Sequence, residues 1–250
     1  MRMIRAEALK LRRRRGLMIW SVILTIGVIA TVEAVLVVLH AVNPNHHGPA
    51  GGVSNFRGAA ETLALLGTVT AILIGATAGS QDVTNGVFRD LVVTGRKRST
   101  LFNVRIPGAL IVLLPMLLIA FAVAVAFGFL FAGDLPTPSG SLVGRELVYV
   151  LAYALVNLVM AIGFAAFVSA RIVIGVLIAW NTAITHILIS FHTLGSARKL
   201  IDVAAIEHFL PDTSSGQRVA MSTATAIIVL IAWAGIFSSA GRWWTTRRDA

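Results

Sequence analysis

Apolar residues are concentrated along the chain in blocks of about twenty, rather than at the short spacings typical of a soluble core. Six such blocks cover residues 17–42, 58–80, 104–132, 143–169, 171–192 and 219–241. A helix rises about 1.5 Å per residue, so about 20 residues cross a hydrocarbon layer roughly 30 Å thick. The pattern predicts an all-α polytopic membrane protein with six transmembrane helices, forming one domain over residues 1–250.

Composition supports a membrane class and excludes several functions. Of the 250 residues, 57% are hydrophobic and 13% are charged, whereas soluble domains carry roughly 25% charged residues. The net charge is +10, but the basic residues cluster at the ends of the apolar blocks and form no separate basic domain. We therefore expect a lipid bilayer, and not nucleic acid, as the partner. The absence of cysteine excludes disulfides, thiolate metal sites and cysteine nucleophiles.

The distribution of Lys and Arg predicts the orientation. If the N-terminus is cytoplasmic, that side receives sixteen of the 21 basic residues and the other side five. Because cytoplasmic loops carry the excess of Lys and Arg, both termini should be cytoplasmic. Trp243 and Trp244 then lie at the inner membrane interface.

The N-terminal segment 1–16 combines basic residues with Met3, Ile4, Ala8, Leu9 and Leu11. Two interpretations are compatible with each other: an amphipathic helix lying along the inner leaflet, or a charge cluster that sets topology. The apolar run that follows, residues 17–42, is too long for the apolar region of a signal peptide. We interpret it as a retained first span.

The most polar internal stretch is the loop 81–105, between the second and third blocks. Asp82, Thr84 and Asn85 are of the types that start helices, and Gly95 is a typical helix stop. Between them, apolar side chains repeat at helical spacing on one face: Val83, Val87, Phe88, Leu91 and Val92. Such a helix either docks on a partner protein or rests on the membrane surface.

In this loop the chain resembles the permeases of the ABC type-2 exporter family. Such permeases have about 250 residues, six spans and an N-terminal basic elbow helix. Their cytoplasmic loop carries an acidic residue, three residues, glycine, a short amphipathic helix and a basic turn. Here the pattern reads Asp82 to Gly86, then residues 87–94, then Gly95-Arg96-Lys97-Arg98. The chain departs from the family's usual Glu at position 82 and its Thr or Ser at position 87.

The resemblance implies that this segment is the coupling helix, which contacts a separate ATP-binding subunit. The residues it assigns to that contact are Asp82, Gly86, Val87, Phe88, Arg89, Leu91, Val92 and Arg96. It also implies that residues 196–210 form an outer or re-entrant helix; from composition alone the same stretch is an ordinary interfacial helix.

As a family member, the chain would be a permease subunit in a bacterial cell (plasma) membrane. Two permeases, most simply a homodimer, would work with two ATPases to export a hydrophobic or amphipathic cargo such as a drug, peptide or lipid. ATP and Mg would bind only to the partner ATPase, so the chain itself would hold no cofactor and would not be an enzyme. In agreement, the sequence lacks a Gly-x-x-x-x-Gly-Lys-Ser/Thr phosphate loop.

Polar residues inside the apolar blocks are costly to insert, which makes them candidates for a cargo pathway. Glu33 and Glu61 either face an outer vestibule that meets cationic cargo or are paired or hydrated near the interface, Arg57 being a partner for Glu61. A second group either lines the pathway or makes interhelical hydrogen bonds: Asn157, Asn181 and His186.

Small residues recur every four positions in the second span, at Gly67, Ala71, Gly75 and Gly79. Such a stripe lets another helix approach closely, either within the subunit or across a dimer seam.

Two other functions compete with the exporter. An ATP-independent secondary carrier needs an ionisable site at the membrane midplane, for which Glu33 is the candidate. An intramembrane hydrolase needs a Gly-x-Ser nucleophile and a histidine. His186 is present, but Ser169 and Ser190 lack that glycine context.

Overall fold

The structure, a computed structural model, describes residues 2–84, 86–210 and 219–247, and omits the side chains of Val83, Phe88 and Arg89. Within these ranges it is helical and contains no strand. The α-helices are α1 (Arg2–Arg12), α2 (Arg15–Val22), α3 (Val28–Val42), α4 (Gly52–Thr84), α5 (Val87–Val93), α6 (Arg98–Asn103), α7 (Arg105–Leu130), α8 (Gly140–Phe164), α9 (Ala170–Ala179), α10 (Thr185–Ser190), α11 (Asp202–Glu207) and α12 (Thr223–Arg247).

Six helical segments are long and apolar enough to cross a membrane, which confirms the predicted all-α class and the number of spans. Their bounds are Arg15–Val42, Gly52–Asp82, Arg98–Leu130, Gly140–Phe164, Ala170–Ser190 and Thr223–Arg247. Span 2 begins six residues before the apolar block because polar residues form its first turns. There Asn55 Nδ2 donates to the carbonyls of Pro49 and Gly51, at 2.9 and 3.1 Å. Span 4 ends five residues before the predicted end.

The spans alternate in direction, so the bundle has two ends. We call the end that holds residues 15, 82, 98, 164, 170 and 247 the terminal end, and the other the opposite end. At the terminal end, Arg98 Nη1 donates to the Thr246 carbonyl at 3.3 Å. At the opposite end, the Gly51 amide donates to the Phe131 carbonyl at 2.8 Å.

Helix α4 lies at the centre of the bundle and packs mainly against α7 and α8. The small-residue stripe makes this packing close. A Cβ atom on Gly75 would lie 2.7 Å from the Leu158 carbonyl oxygen, and one on Gly79 would lie 2.6 Å from that of Ile162. The stripe therefore packs within the chain. Gly241 of α12 likewise lets that helix approach α8 closely.

Two spans contain a π-helical turn, at Ile23–Gly27 in span 1 and Trp180–Ile184 in span 5. In span 5 the Thr185 hydroxyl donates to the Trp180 carbonyl, five residues earlier, at 2.9 Å. Such wide turns place an extra residue in the helix and change which face the following residues occupy.

The segment before span 6 folds back onto the bundle. A 3₁₀ helix (His192–Leu200) and α11 are separated by an extended residue, Ile201, so the structure divides the single helix expected over residues 196–210. Residues 201–206 are buried, against α8, α10 and α12. Two indole N–H groups hold the segment: Trp180 donates to Asp202 Oδ1 at 2.9 Å, and Trp233 donates to the Leu200 carbonyl at 2.8 Å.

Candidate functional site

A buried ion pair joins the ends of spans 2 and 3 at the terminal end. Arg105, the first residue of α7, is only 1% exposed. Its Nη2 lies 3.3 Å from Asp82 Oδ2, and its Nη1 donates to the Gly79 carbonyl at 2.9 Å. A buried guanidinium needs such partners, because desolvating an unpaired charge costs several kcal/mol. The pair therefore fixes the last turn of α4 against the first turn of α7.

Helix α1 supplies the second cation of this cluster. Lys10 Nζ donates to Asp82 Oδ1 and also, at 2.9 Å, to Glu7 Oε1. Helix α1 can come this close because Gly108 lies beneath it: a Cβ atom there would be 2.6 Å from Glu7 Cβ. We call Glu7, Lys10, Asp82 and Arg105 the terminal-end charge cluster.

Burial changes the pKa of Glu7, the acidic residue that α1 contributes to the cluster. Desolvation raises the pKa of Glu7, and the hydrogen bond from Lys10 opposes that change. Glu7 Oε2 is buried and has no hydrogen-bond partner. The packing of α1 on the bundle thus places an acid in surroundings that disfavour its charge.

The predicted helix in the loop is present but shorter than expected. Asp82 does not start it; Asp82 lies in the last turns of α4, 3% exposed within the charge cluster. The loop helix is α5, which begins at Val87 after Gly86. Because α4 continues through the polar residues to Thr84, neither Asp82 nor Thr84 starts the loop helix, and Asn85 lies outside the described residues.

Both junctions of α5 depend on glycine. Gly86 has a φ of +72° and Gly95 a φ of +82°, a region that other residues adopt only with strain. Val87 is 42% and Val93 78% exposed, whereas Leu91 and Val92 are half-buried. The helix therefore presents apolar residues to its surroundings at the terminal end. Phe88 and Arg89, whose side chains are among the predicted contacts, lie outside the described side chains.

The basic turn after α5 leads back to the bundle. Arg96 and Lys97 are exposed, and Arg98 donates to a carbonyl of α12, as described above. One short, exposed helix is thus linked to span 2 through Gly86 and Asp82, and to span 3 through the basic turn. The charge cluster adds α1, so three elements meet next to this helix.

The structure brings together only two of the five predicted cargo-pathway residues. Asn157 on α8 and Asn181 in the π turn of span 5 are both buried, and their amides donate hydrogen bonds to each other at 3.2 and 2.7 Å. Each Nδ2 also donates to a carbonyl one turn earlier in its own helix, that of Tyr153 or Leu177. The donors of both amides are therefore all used, and one hydrogen bond from each joins the two spans.

The other three lie elsewhere. Glu33 is buried on α3 and lines a cleft between α3 and α4. Glu61 is exposed on α4, and in the part of the chain that the structure describes no ion pair joins it to Arg57 within 4.0 Å. His186 is half exposed, with Nδ1 3.9 Å from Glu207 Oε1.

Sequence reasoning missed two buried charged residues, Arg105 and Glu146. Arg105 stands at the start of an apolar span, a position that calls for a nearby carboxylate. Glu146 lies six residues into span 4, is fully buried, and has no hydrogen-bond partner for either oxygen. A search for carboxylates within apolar windows would have found it.

A scan against models of protein families finds no match to this chain, and a search of curated proteins also finds none. The fold defines the chain as a helical protein with six candidate membrane spans. Because no relative indicates its function, that function must be inferred from the sites.

Proposed function

We propose that the chain is the membrane-spanning permease subunit of an ATP-driven exporter, and that a separate ATPase docks on α5 and its basic turn. The observation that carries the proposal is the clamping of Asp82 between Arg105 and Lys10, next to an exposed apolar helix bounded by two glycines of positive φ. The resemblance of residues 82–98 to the coupling segment of ABC type-2 permeases supports the same assignment.

The charge cluster suits the transmission of force. A short helix that merely rested on lipid would need no rigid connection to the spans beneath it. Here, Asp82, which precedes the α5 junction, is held by two cations from two other elements: the fully buried Arg105 and the partly exposed Lys10. Buried ion pairs keep a defined geometry, because separating the charges leaves each of them unpaired. Movement of α5 would therefore shift spans 2 and 3 together with α1.

In this mechanism the chain performs no chemistry on nucleotide. The partner ATPase binds ATP and Mg and supplies the closing motion, and two permeases would work with two ATPases. The chain's part is to receive that motion at α5 and to change the exposure of a pathway between its spans. The cargo would be hydrophobic or amphipathic, such as a drug, a peptide or a lipid.

The proposal requires the terminal end to be cytoplasmic, in a bacterial cell membrane, as the Lys and Arg distribution predicts. The chain contains no cysteine, so single cysteines can be introduced without a background. We expect a membrane-impermeant thiol reagent to label Gly48→Cys, at the opposite end, on intact cells. Thr94→Cys, after α5, should be labelled only after the cells are opened. Labelling of Thr94→Cys on intact cells would contradict the docking of a cytoplasmic ATPase.

Co-purification tests the docking surface directly. We expect a reading frame adjacent to that of this chain to encode a Walker-type ATPase, with which the chain is co-expressed. Val87→Asp places a charge on the exposed face of α5 and should abolish co-purification and nucleotide-dependent transport. Val42→Asp is the matched control: it makes the same change at an exposed residue of the opposite end, 80% accessible, and should leave association intact. Equal association of the Val87→Asp variant would refute the docking surface.

A further inference from the structure

A cleft between α3 and α4 contains a buried acid, Glu33, that none of the described residues neutralises. Glu33 is 2% exposed, and its Oε2 is buried without a hydrogen-bond partner. Among the described residues, no Lys, Arg or His nitrogen lies within 4.0 Å of its carboxylate. The cleft has a volume of about 260 Å³ and is partly open. An unpaired carboxylate in apolar surroundings is costly, so its charge favours a cation from outside the chain.

The other polar groups of the cleft are arranged as acceptors. Both hydrogen bonds of the Asn55 Nδ2 group go to backbone carbonyls, which leaves the amide oxygen as the group that this side chain can offer. The Thr62 hydroxyl donates to the Gly58 carbonyl at 2.7 Å, so its oxygen can only accept from a ligand. Ser54 adds a hydroxyl at the rim. One charged and two neutral acceptors match a group that carries several N–H donors.

The walls of the cleft are apolar. Ile29, Val32 and Leu36 line the α3 side, and Ala59 lines the α4 side. A second cavity, of about 350 Å³, shares Leu36, Ser54 and Asn55 with the first and continues to the loop at the opposite end. A ligand could therefore place a polar group beside Glu33 and keep an apolar body against the walls.

We propose that this cleft binds the primary ammonium group of an amphipathic amine. The ammonium group donates to the Glu33 carboxylate and to one oxygen of the α4 wall, while the hydrocarbon part lies along α3. Asn55 and Thr62 offer that oxygen at two separate levels, about 10 Å apart along α4. A primary ammonium has three donors, whereas a quaternary ammonium has none and an alcohol has no charge. A cationic cargo molecule and the headgroup of phosphatidylethanolamine share this chemistry. As a cargo site the assignment rests on the proposed exporter function; as a binding site it does not.

Photo-labelling of the purified full chain tests the site. The chain, in phosphatidylcholine nanodiscs without ATPase, is labelled with a dodecylamine that carries a diazirine beside the amino group, and the labelled peptides are identified by mass spectrometry. We expect labelling in residues 28–42 and 52–62. Unlabelled dodecylamine should compete about tenfold or more effectively than dodecanol or dodecyltrimethylammonium, since a hydrogen bond to a charged group is worth roughly that factor. This competition requires no variant.

Two variants sharpen the test. Glu33→Gln, which keeps the shape of the side chain, should weaken labelling about tenfold, whereas Asp134→Asn, which removes an exposed acid at the same end, should not change it. Adding phosphatidylethanolamine to the nanodiscs distinguishes the sources: its competition would identify a lipid headgroup, and its failure to compete a soluble amine. Equal labelling of Glu33→Gln, equal competition by dodecanol or the quaternary amine, or displacement by sodium chloride would overturn the proposal. Because no ATPase is present, failure of docking on α5 would leave this result unaffected.

Discussion

The side-chain amides of Asn157 and Asn181 form a reciprocal pair, each donating one hydrogen bond to the other at 3.2 and 2.7 Å. The pair joins span 4 to the π turn of span 5, and both side chains are buried. Every N–H of the two amides has an acceptor, because the remaining hydrogens go to backbone carbonyls. The sequence left two roles open for these residues, lining a cargo pathway or making interhelical hydrogen bonds. The arrangement favours the second.

Removal of one member of this pair should cost more than removal of both. Asn181→Leu leaves a buried amide without its partner, so we expect a loss of about 1–2 kcal/mol in the free energy of unfolding. Adding Asn157→Leu should cost much less than a second equal loss. Reversible unfolding in detergent micelles measures all four states of the cycle. Strict additivity of the two single changes would contradict a direct interaction.

The Asp82–Arg105 pair should behave in the same way but with a larger effect. Arg105→Met leaves Asp82 buried with only Lys10, which is 30% exposed. We expect a loss of about 3 kcal/mol or more in unfolding free energy, because breaking a buried ion pair leaves one charge uncompensated. The double variant Asp82→Leu/Arg105→Met should recover a large part of that loss, as measured by thermal unfolding in detergent.

A comparison of these variants also separates stability from coupling. If the proposed transmission is right, the double variant should fold and associate with an ATPase yet transport poorly. Full transport by the double variant would show that the ion pair is only structural.

Glycine positions on α4 allow a matched test of helix packing. A Cβ atom at Gly79 would lie 2.6 Å from the Ile162 carbonyl oxygen, whereas one at Gly58 would meet nothing within 4 Å. Gly79→Ala should therefore destabilise the chain by about 1–3 kcal/mol through overpacking. Gly58→Ala should be neutral or stabilising, since Ala is the better helix former. Thermal unfolding of the two variants in one detergent checks the contrast, and equal effects would contradict the close approach of α8.

Asp202 should make stability depend on pH. Burial raises the pKa of Asp202 above its ordinary value of 3.8, against the opposing hydrogen bond from Trp180. The folded state therefore binds a proton more tightly than the unfolded state. The contribution of Asp202 to the free energy of unfolding is therefore complete below pH 3.8, and it is lost as the pH rises through the raised pKa of Asp202.

Asp202→Asn keeps an oxygen to accept from Trp180 and removes the charge. Its melting temperature should exceed that of the wild type by a margin that grows from pH 4 upward and then levels. Asp134→Asn, at an exposed loop position, is the control and should follow the wild type. A parallel pH course for Asp202→Asn and the wild type would disprove the assignment.

The sequence was sufficient for the number and approximate position of the spans, because hydropathy depends on composition over about twenty residues. It was not sufficient for the helix ends, because one or two hydrogen bonds determine the residue at which a helix begins or ends. Span 2 begins early because Asn55 satisfies the carbonyls before it, and α4 continues past Asp82 because Arg105 and Lys10 compensate the charge. Those partners are distant in sequence, 23 and 72 residues away. No local pattern could identify them.

Contacts between side chains of different helices could be predicted from the sequence only in part. Asn157 and Asn181 were both recognised as interhelical candidates, but their pairing depends on the π turn in span 5, for which the residues 180–184 give no distinctive pattern. The small-residue stripe was recognised, and its helix partner was not, since close approach is equally favourable within a chain and between chains. The division of residues 196–210 at Ile201 depends on tertiary contacts of Trp180 and Trp233.

The wide turn at Ile23–Gly27 determines the direction of an acid more than one helical turn away. Successive residues of an α-helix are rotated by about 100° around the axis, and the wider π turn absorbs one such step. A single-residue deletion between Ile23 and Gly27 would therefore remove the wide turn and leave Glu33 facing the cleft. A single-residue insertion there would add about 100° and turn Glu33 out of the cleft towards lipid. We therefore expect this segment to tolerate a deletion far better than an insertion, whatever side chains it carries.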